Sequence, residues 1–313
     1  MPSMTRTLVD ASIPGELLLG IIENLTFDKK VMRDISLVHP RLRSLVLEFQ
    51  YSITKKFASN QLHHATTDFT TDETANYRWL ARCIRRYDVI DEVMDVLISE
   101  KNRLAVHPHN MGVTNTGMLL LYRLFDVDGI DNKIAFIKSL PRSPILAMFL
   151  AIHFSIFAAR HYGKGIINDK RYGPYLDGNN FEMRSEVEFS FAEGVMELGP
   201  QFISDIILGA DNAENTLMLF FHDHAFQDWN MHTIQSDFVP INTQGPHREP
   251  GTRSRSLWTT VQERLADLSD CPLNEVVDRV IEEIEEPGHW HSWMGLAGKA
   301  ELMKGLNLTN EYD

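Results

Sequence analysis

Cysteine is nearly absent from the sequence, with only Cys83 and Cys271 among 313 residues. So few thiols exclude a disulfide framework, a CxxC motif and a cysteine-based zinc site, and they are typical of a reducing compartment. The first twelve residues contain neither a basic run nor an apolar stretch of signal-peptide length. We therefore expect an intracellular protein of the cytoplasm, the nucleus or both.

Positive charge is also in short supply, because 30 Lys and Arg residues face 43 Asp and Glu residues, a net charge of −13. The basic stretch GTRSRS at 251–256 is too short for a surface that follows phosphates. We therefore expect no nucleic-acid partner. The imbalance is uneven, since residues 1–60 carry a net +2 and the remainder −15.

A long apolar run occurs only at residues 144–159, PILAMFLAIHFSIFAA, which contain no charged side chain. A membrane-spanning helix needs about 20 apolar residues, and this run includes His153 and Ser155. Helices that are apolar on all sides are usually the centre of a soluble core. We therefore expect a core helix and no membrane partner.

The alternating pattern of β-strands is hard to find, and helical periodicity dominates. The pattern therefore predicts a mainly all-α protein, with an N-terminal unit at residues 10–55 and a non-repeat helical body at 60–313. A Pro- and Gly-rich stretch at 236–256 is predicted to be a surface loop. The predicted helices cover 14–25, 31–38, 40–57, 75–99 with a break near Tyr87, 115–125, 131–140, 144–161, 181–198, 200–208, 213–228, 257–268, 272–286 and 297–306.

Common catalytic motifs are missing: there is no GxSxG, HExxH, Walker-type loop or GxGxxG. Histidine pairs are the remaining candidates, because an HxH pair on extended backbone can bind a metal with a nearby carboxylate such as Asp223 or Asp228. This alternative is a helical metal-dependent hydrolase. The pairs are His63–His64, His107–His109, His222–His224 and His289–His291. On a helix, residues two apart diverge, so we expect surface histidines and no catalytic, metal or cofactor site.

Two further features stand out in the body. His153 lies in an apolar pattern, and we expect a hydrogen-bonded core histidine rather than a general base. The segment GHWHSWMG at 288–295 is rich in aromatic residues. Such segments anchor protein interfaces when exposed, but we expect Trp290 and Trp293 to pack the last helices onto the body.

The segment IPGELLLGIIENL at 13–25 carries five large aliphatic residues on one broad helical face. Pro14 suits the first turn of a helix, where its missing N–H removes no hydrogen bond. Two further helices follow, which makes a three-helix unit of about fifty residues, too small to bury all of these side chains easily. Either this unit docks onto the body, or another protein covers it.

The order of motifs in this unit resembles the F-box over residues 12–52. The matching elements are Ile13-Pro14, Glu16-Leu17-Leu18, Ile21-Ile22, Leu25, Leu37-Val38 and Arg41-Leu42-Arg43. Ile13 stands where the family usually has Leu, and Leu42 stands where many members have an aromatic residue. The phrase SLVHPRLRSL is similar to F-box proteins of filamentous fungi.

The resemblance implies that the unit binds the small acidic Skp adaptor, and through it a cullin, in an SCF-type ubiquitin ligase. The body would then select a protein substrate, and the ligase partners would carry the chemistry. Leu17, Leu18, Ile21 and Ile22 are expected to be partly exposed in the free protein. The adaptor-binding residues that the resemblance implies are Ile13, Pro14, Leu17, Leu18, Ile21, Ile22, Leu25, Leu37, Val38 and Leu42.

Overall fold

A computed structural model describes residues 13–69, 75–100, 106–168, 181–224, 256–285 and 291–308. Among these residues there are fifteen α-helices and no strand, so the all-α prediction is confirmed. Residues 225–255, which include most of the predicted loop at 236–256, lie outside the described residues. The chain divides into two compact units, Met1–Asp88 and Val89–Asp313.

The first unit begins with four helices that pack on one another. They are α1 (Gly15–Glu23), α2 (Lys29–Val38), α3 (Pro40–Glu48) and α4 (Gln50–Gln61). The short helix α5 (Ala65–Asp68) follows, and α6 (Tyr77–Leu97) begins in this unit. Side chains cap the N-termini of two of these helices. The Asp28 carboxylate accepts a hydrogen bond from the Lys30 amide of α2, and the His39 ring accepts one from the Arg41 amide of α3.

Two predictions about breaks between helices are wrong. The predicted helix at 40–57 is two helices, because the chain turns at Phe49, whose φ and ψ are −99° and 19°. The predicted break near Tyr87 does not exist, since α6 is continuous through that residue. No Gly or Pro lies within α6 to oppose the helix, and the Tyr87 hydroxyl donates to the Asp68 carboxylate at 2.6 Å.

The second unit surrounds one apolar helix with the remaining ones. The elements are α7 (Met111–Phe125), α8 (Ile130–Ser139), α9 (Arg142–Tyr162), α10 (Phe181–Leu198), α11 (Pro200–Leu208), α12 (Ala213–His224), α13 (Leu257–Ser269), α14 (Val276–Glu285) and α15 (Leu296–Met303). A 3₁₀ turn, Pro108–Asn110, precedes α7. Between α10 and α11, Gly199 has a φ of +77°, which favours glycine.

Helix α9 contains the apolar run found in the sequence. It is long and apolar enough to cross a membrane by length and composition, but 78% of an 18-residue apolar stretch of this helix is buried inside the protein. Helix α7 approaches it closely because residue 117 is glycine: a Cβ there would lie 2.0 Å from the Ala147 carbonyl oxygen. The interior of the second unit is therefore built on α7 and α9, and α13 packs against α9 as well.

Candidate protein-interaction surface

Helix α1 has two apolar faces that point in different directions. Leu18 and Ile22 are buried within the first unit, with 4% and 2% of their surface exposed. Leu17 and Ile21 lie one turn apart on the other face and remain 61% and 50% exposed. The expectation that all four are partly exposed is therefore wrong for Leu18 and Ile22, because they belong to the core of their own unit.

Side-chain hydrogen bonds hold α1 and the turn after it in place. The Arg41 guanidinium of α3 donates to the Ile13 carbonyl at the start of α1. At the other end, the Gln61 amide donates to the Leu25 carbonyl at 2.8 Å, and Gln61 Oε1 accepts from the Phe27 amide at 3.0 Å. These contacts tie the two ends of the α1 segment to α3 and α4.

The other residues that the F-box resemblance assigns to the adaptor differ in exposure. Leu37 and Val38, at the end of α2, are largely exposed, and Pro14 is exposed. Ile13, Leu25 and Leu42 are half-buried. Fewer of the apolar residues assigned to the adaptor are therefore exposed than the sequence predicts.

The sequence analysis did not identify two exposed apolar residues of the first unit. Leu47 on α3 and Tyr51 on α4 are both more than half exposed. The run of aliphatic residues at 45–47 shows that one of them must point outward, but it does not show which one. Val46 is the buried member, and its carbonyl accepts from the Tyr77 hydroxyl at 3.1 Å.

The histidine pairs do not assemble a metal centre in the part of the chain that is described. No group of three or more His, Cys, Asp or Glu side chains there could hold a metal ion. His222 and His224 lie on helix α12; His222 is exposed, whereas His224 is buried with its ring parallel to that of Phe220. The rings of His107 and His109 stack on each other, with centroids 5.5 Å apart. His63 and His64 are exposed, His291 is buried, and His289 lies outside the described residues.

His153 stacks on the aromatic interior of the second unit. Its ring lies parallel to that of Phe149, with centroids 5.8 Å apart. Phe149 stacks in turn on Trp258 of α13. Burial lowers the pKa of His153, and the nearby Arg160 charge lowers it further. Both effects favour the neutral form of the imidazole.

Among the described residues of the second unit, Trp293 has the most exposed aromatic side chain, at 72%. The expectation that it packs the last helices onto the body is therefore wrong; Trp290 lies outside the described residues. The backbone of Trp293 adopts a φ of +58°, and the Trp293 amide donates to the His109 carbonyl at 2.8 Å. Leu296, which begins α15, is also largely exposed. We refer to these two exposed side chains, three positions apart in the chain, as the apolar surface of the body.

Comparison with known proteins assigns neither surface. No protein-family model matches the chain, no curated protein matches it, and no solved structure matches it. The two apolar surfaces are therefore interpreted from their own residues and geometry.

Proposed function

We propose that the chain is the substrate-recognition subunit of an SCF-type cullin-RING ubiquitin ligase. In this proposal the first unit binds the Skp adaptor, and through it the cullin, with the exposed side chains of Leu17, Ile21, Leu37 and Val38. The second unit binds a protein substrate, and the chain itself performs no catalysis. Such a subunit would work in the cytoplasm, the nucleus or both.

One observation carries the proposal: the F-box-like segment keeps four large aliphatic side chains in water although the unit has its own core. Burying one Leu, Ile or Val side chain completely contributes about 1.5–3 kcal/mol. Scaled by their exposed fractions, the four side chains could contribute roughly 4–8 kcal/mol before the costs of association are deducted. These four side chains would therefore supply part of the interface energy, and further contacts would have to offset the cost of association.

Charge supports the same partner. The segment 1–60 has a net charge of +2 in a chain of −13, and the exposed Lys29, Lys30 and Arg43 lie in the F-box-like helices. An acidic adaptor would be steered toward this part of the chain. Complementary charge raises the association rate and the specificity more than the affinity.

For the substrate, the proposal assigns the surface of Trp293 and Leu296. Exposed tryptophan residues are among the strongest anchors of protein interfaces. Trp293 is held in a left-handed conformation by its hydrogen bond to His109, so the indole is presented by fixed backbone. The chemistry of this surface fits an apolar segment of a partner protein.

The experiment replaces Leu17 and Ile21 together by Asp and measures capture of a purified Skp adaptor. A matched control makes the same replacement by Asp at Leu219 and Leu208, which are 59% and 51% exposed on helices of the second unit. We expect at least a hundredfold loss of adaptor affinity for the first variant, because two charges enter an apolar interface, and none for the control. Both variants should keep the wild-type melting temperature. Undiminished capture by the Leu17→Asp, Ile21→Asp variant would refute the proposed interface.

A further inference from the structure

A cavity of about 370 Å³ lies in the first unit, between α4, the turn that follows α4 and the first turn of α6. This volume falls within the range of small-molecule sites, about 300–1,000 Å³. The polar part of its lining includes Lys55, Ser59 and His63, and the apolar part includes Leu62 and Trp79. We call it the α4–α6 cavity. The surfaces proposed for the adaptor and the substrate contain none of these residues.

The geometry of α4 explains why its side chains line the cavity. Tyr51 and Lys55 lie one turn apart on the outward side of the helix. Ile53 and Phe57 lie on the opposite side and have no exposed surface, because they belong to the core of the first unit. Tyr51 is 59% exposed and stands at the mouth of the cavity, whereas Trp79 is 3% exposed and forms part of its inner wall.

The segments that form the walls are positively charged. Residues 49–67 and 75–87 supply the described lining, and they contain two Lys and four Arg residues but no Asp or Glu. Between these ranges, Asp68 is buried, accepts from the Tyr87 hydroxyl at 2.6 Å and does not line the cavity. Two further acidic residues occur in 70–74, which lies outside the described residues. In a chain with a net charge of −13, this local excess favours an anionic ligand.

Two side chains of the lining are available to bind such a ligand. Within the part of the chain that the structure describes, the Lys55 ammonium group and the His63 ring form no hydrogen bond, ion pair or ring contact. The Thr66 hydroxyl, which also lines the cavity, is a third donor. A phosphate monoester carries a charge of about −1.5 to −2 and three acceptor oxygens. It can therefore use these donors together, whereas a carboxylate offers two oxygens and a single charge.

The size and the apolar wall of the cavity determine the rest of the ligand. An apolar cavity of about 150 Å³ can hold benzene, so about 370 Å³ has room for one aromatic ring beside a phosphate group. Leu62 and Trp79 offer that ring an apolar and aromatic surface. Inorganic phosphate alone would leave this surface in contact with water.

We propose that the α4–α6 cavity binds an aromatic phosphate monoester. Lys55 and His63 bind the phosphate group, and the aromatic ring packs against Leu62 and Trp79. Free aryl phosphates and the phosphotyrosine side chain of a partner protein share this chemistry. The proposal depends on the cavity alone and stands or falls independently of the ubiquitin-ligase assignment.

Titration of phenyl phosphate into the full chain tests the class of ligand. We expect saturable binding with a dissociation constant below about 1 mM. Inorganic phosphate, which has no ring, and O-phosphoserine, which has no aromatic ring, should each bind at least about tenfold more weakly. Absence of saturation at about 10 mM phenyl phosphate, or equal affinity for inorganic phosphate, would overturn the proposal.

Substitutions of adjacent residues locate the site. Lys55→Met keeps the aliphatic stem and removes the charge, and Lys56→Met does the same at an exposed lysine that does not line the cavity. His63→Ala and His64→Ala form a second pair of this kind. All four side chains are exposed, so each variant should keep the wild-type melting temperature within about 2 °C.

We expect Lys55→Met to weaken phenyl phosphate binding at least about tenfold and His63→Ala at least about threefold, because each removes a donor from the phosphate. Lys56→Met and His64→Ala should each change the affinity less than about twofold, because long-range attraction between exposed charges is screened. Equal losses from Lys55→Met and Lys56→Met, or no loss from Lys55→Met, would overturn the assignment of the site.

A third titration distinguishes the two sources of the phosphate. It compares phenyl phosphate with peptides that carry one phosphotyrosine between varied flanking residues. If one peptide binds at least about tenfold more tightly than phenyl phosphate, and Lys55→Met abolishes this gain, the ligand is a phosphotyrosine of a partner protein. If no peptide exceeds phenyl phosphate, the ligand is a free aryl phosphate. Undiminished binding of the same peptides with unmodified tyrosine would overturn the proposal.

Discussion

The two faces of α1 make different predictions for two neighbouring leucines. Leu18→Ala removes a side chain that is 4% exposed, whereas Leu17→Ala removes one that is 61% exposed on the same helix. A buried Leu→Ala substitution costs about 2–5 kcal/mol, because the lost transfer free energy and the cavity add. An exposed substitution usually changes the free energy of unfolding by no more than about 0.5 kcal/mol.

Hydrogen exchange of the α1 amides measures this difference locally, so unfolding of the second unit does not obscure it. Since 1.4 kcal/mol corresponds to about a tenfold change in an equilibrium constant, Leu18→Ala should accelerate exchange at least about thirtyfold. Leu17→Ala should leave it within about threefold of wild type. Similar acceleration by both substitutions would refute the assignment of an inward and an outward face.

Three further predictions concern packing, pH and the body surface. Gly117→Ala should destabilise the second unit by about 1–3 kcal/mol or more, since the new Cβ would meet the Ala147 carbonyl. Gly20 has open space around it, so Gly20→Ala should stabilise α1 by up to about 1 kcal/mol. Denaturant titration measures both changes. Burial lowers the pKa of His153, so the unfolded chain binds the proton more readily and stability falls as the pH drops below about 6.5. His153→Phe should flatten that dependence between pH 7 and 5. Trp293→Ser should leave the melting temperature within about 2 °C of wild type while reducing capture of substrate proteins; an unchanged set of captured proteins would contradict its role.

Two helices of the body could be predicted from the sequence to the residue. The bounds 181–198 and 200–208 agree with α10 and α11, because Gly199 and Pro200 mark the boundary in the sequence. The turn at Phe49 could not be predicted, since no Gly or Pro stands there. The backbone hydrogen bonds from the Phe49 amide to Leu45 and from the Ile53 amide to Phe49 continue across it, so the turn depends on how α3 and α4 pack.

The candidate surface could be predicted only in part. Periodicity shows that α1 has a broad apolar face, but the side of this face that becomes core depends on α3 and α4, which contact it. Leu18 and Ile22 therefore could not be told from Leu17 and Ile21. The contacts of Glu193 with the start of α13 left no periodic signal, because Glu193 is one of five glutamates in α10 and its partners are more than sixty residues away.

Titration calorimetry of a purified Skp adaptor into the full chain tests the proposed function most directly. We expect a saturable one-to-one complex with a dissociation constant below about 100 µM, equivalent to about −5.5 kcal/mol or a more negative value. The heat capacity change should be negative, because binding buries the apolar surface of Leu17, Ile21, Leu37 and Val38. Absence of binding at about 100 µM of folded chain and folded adaptor would contradict the assignment of this chain to a ubiquitin ligase.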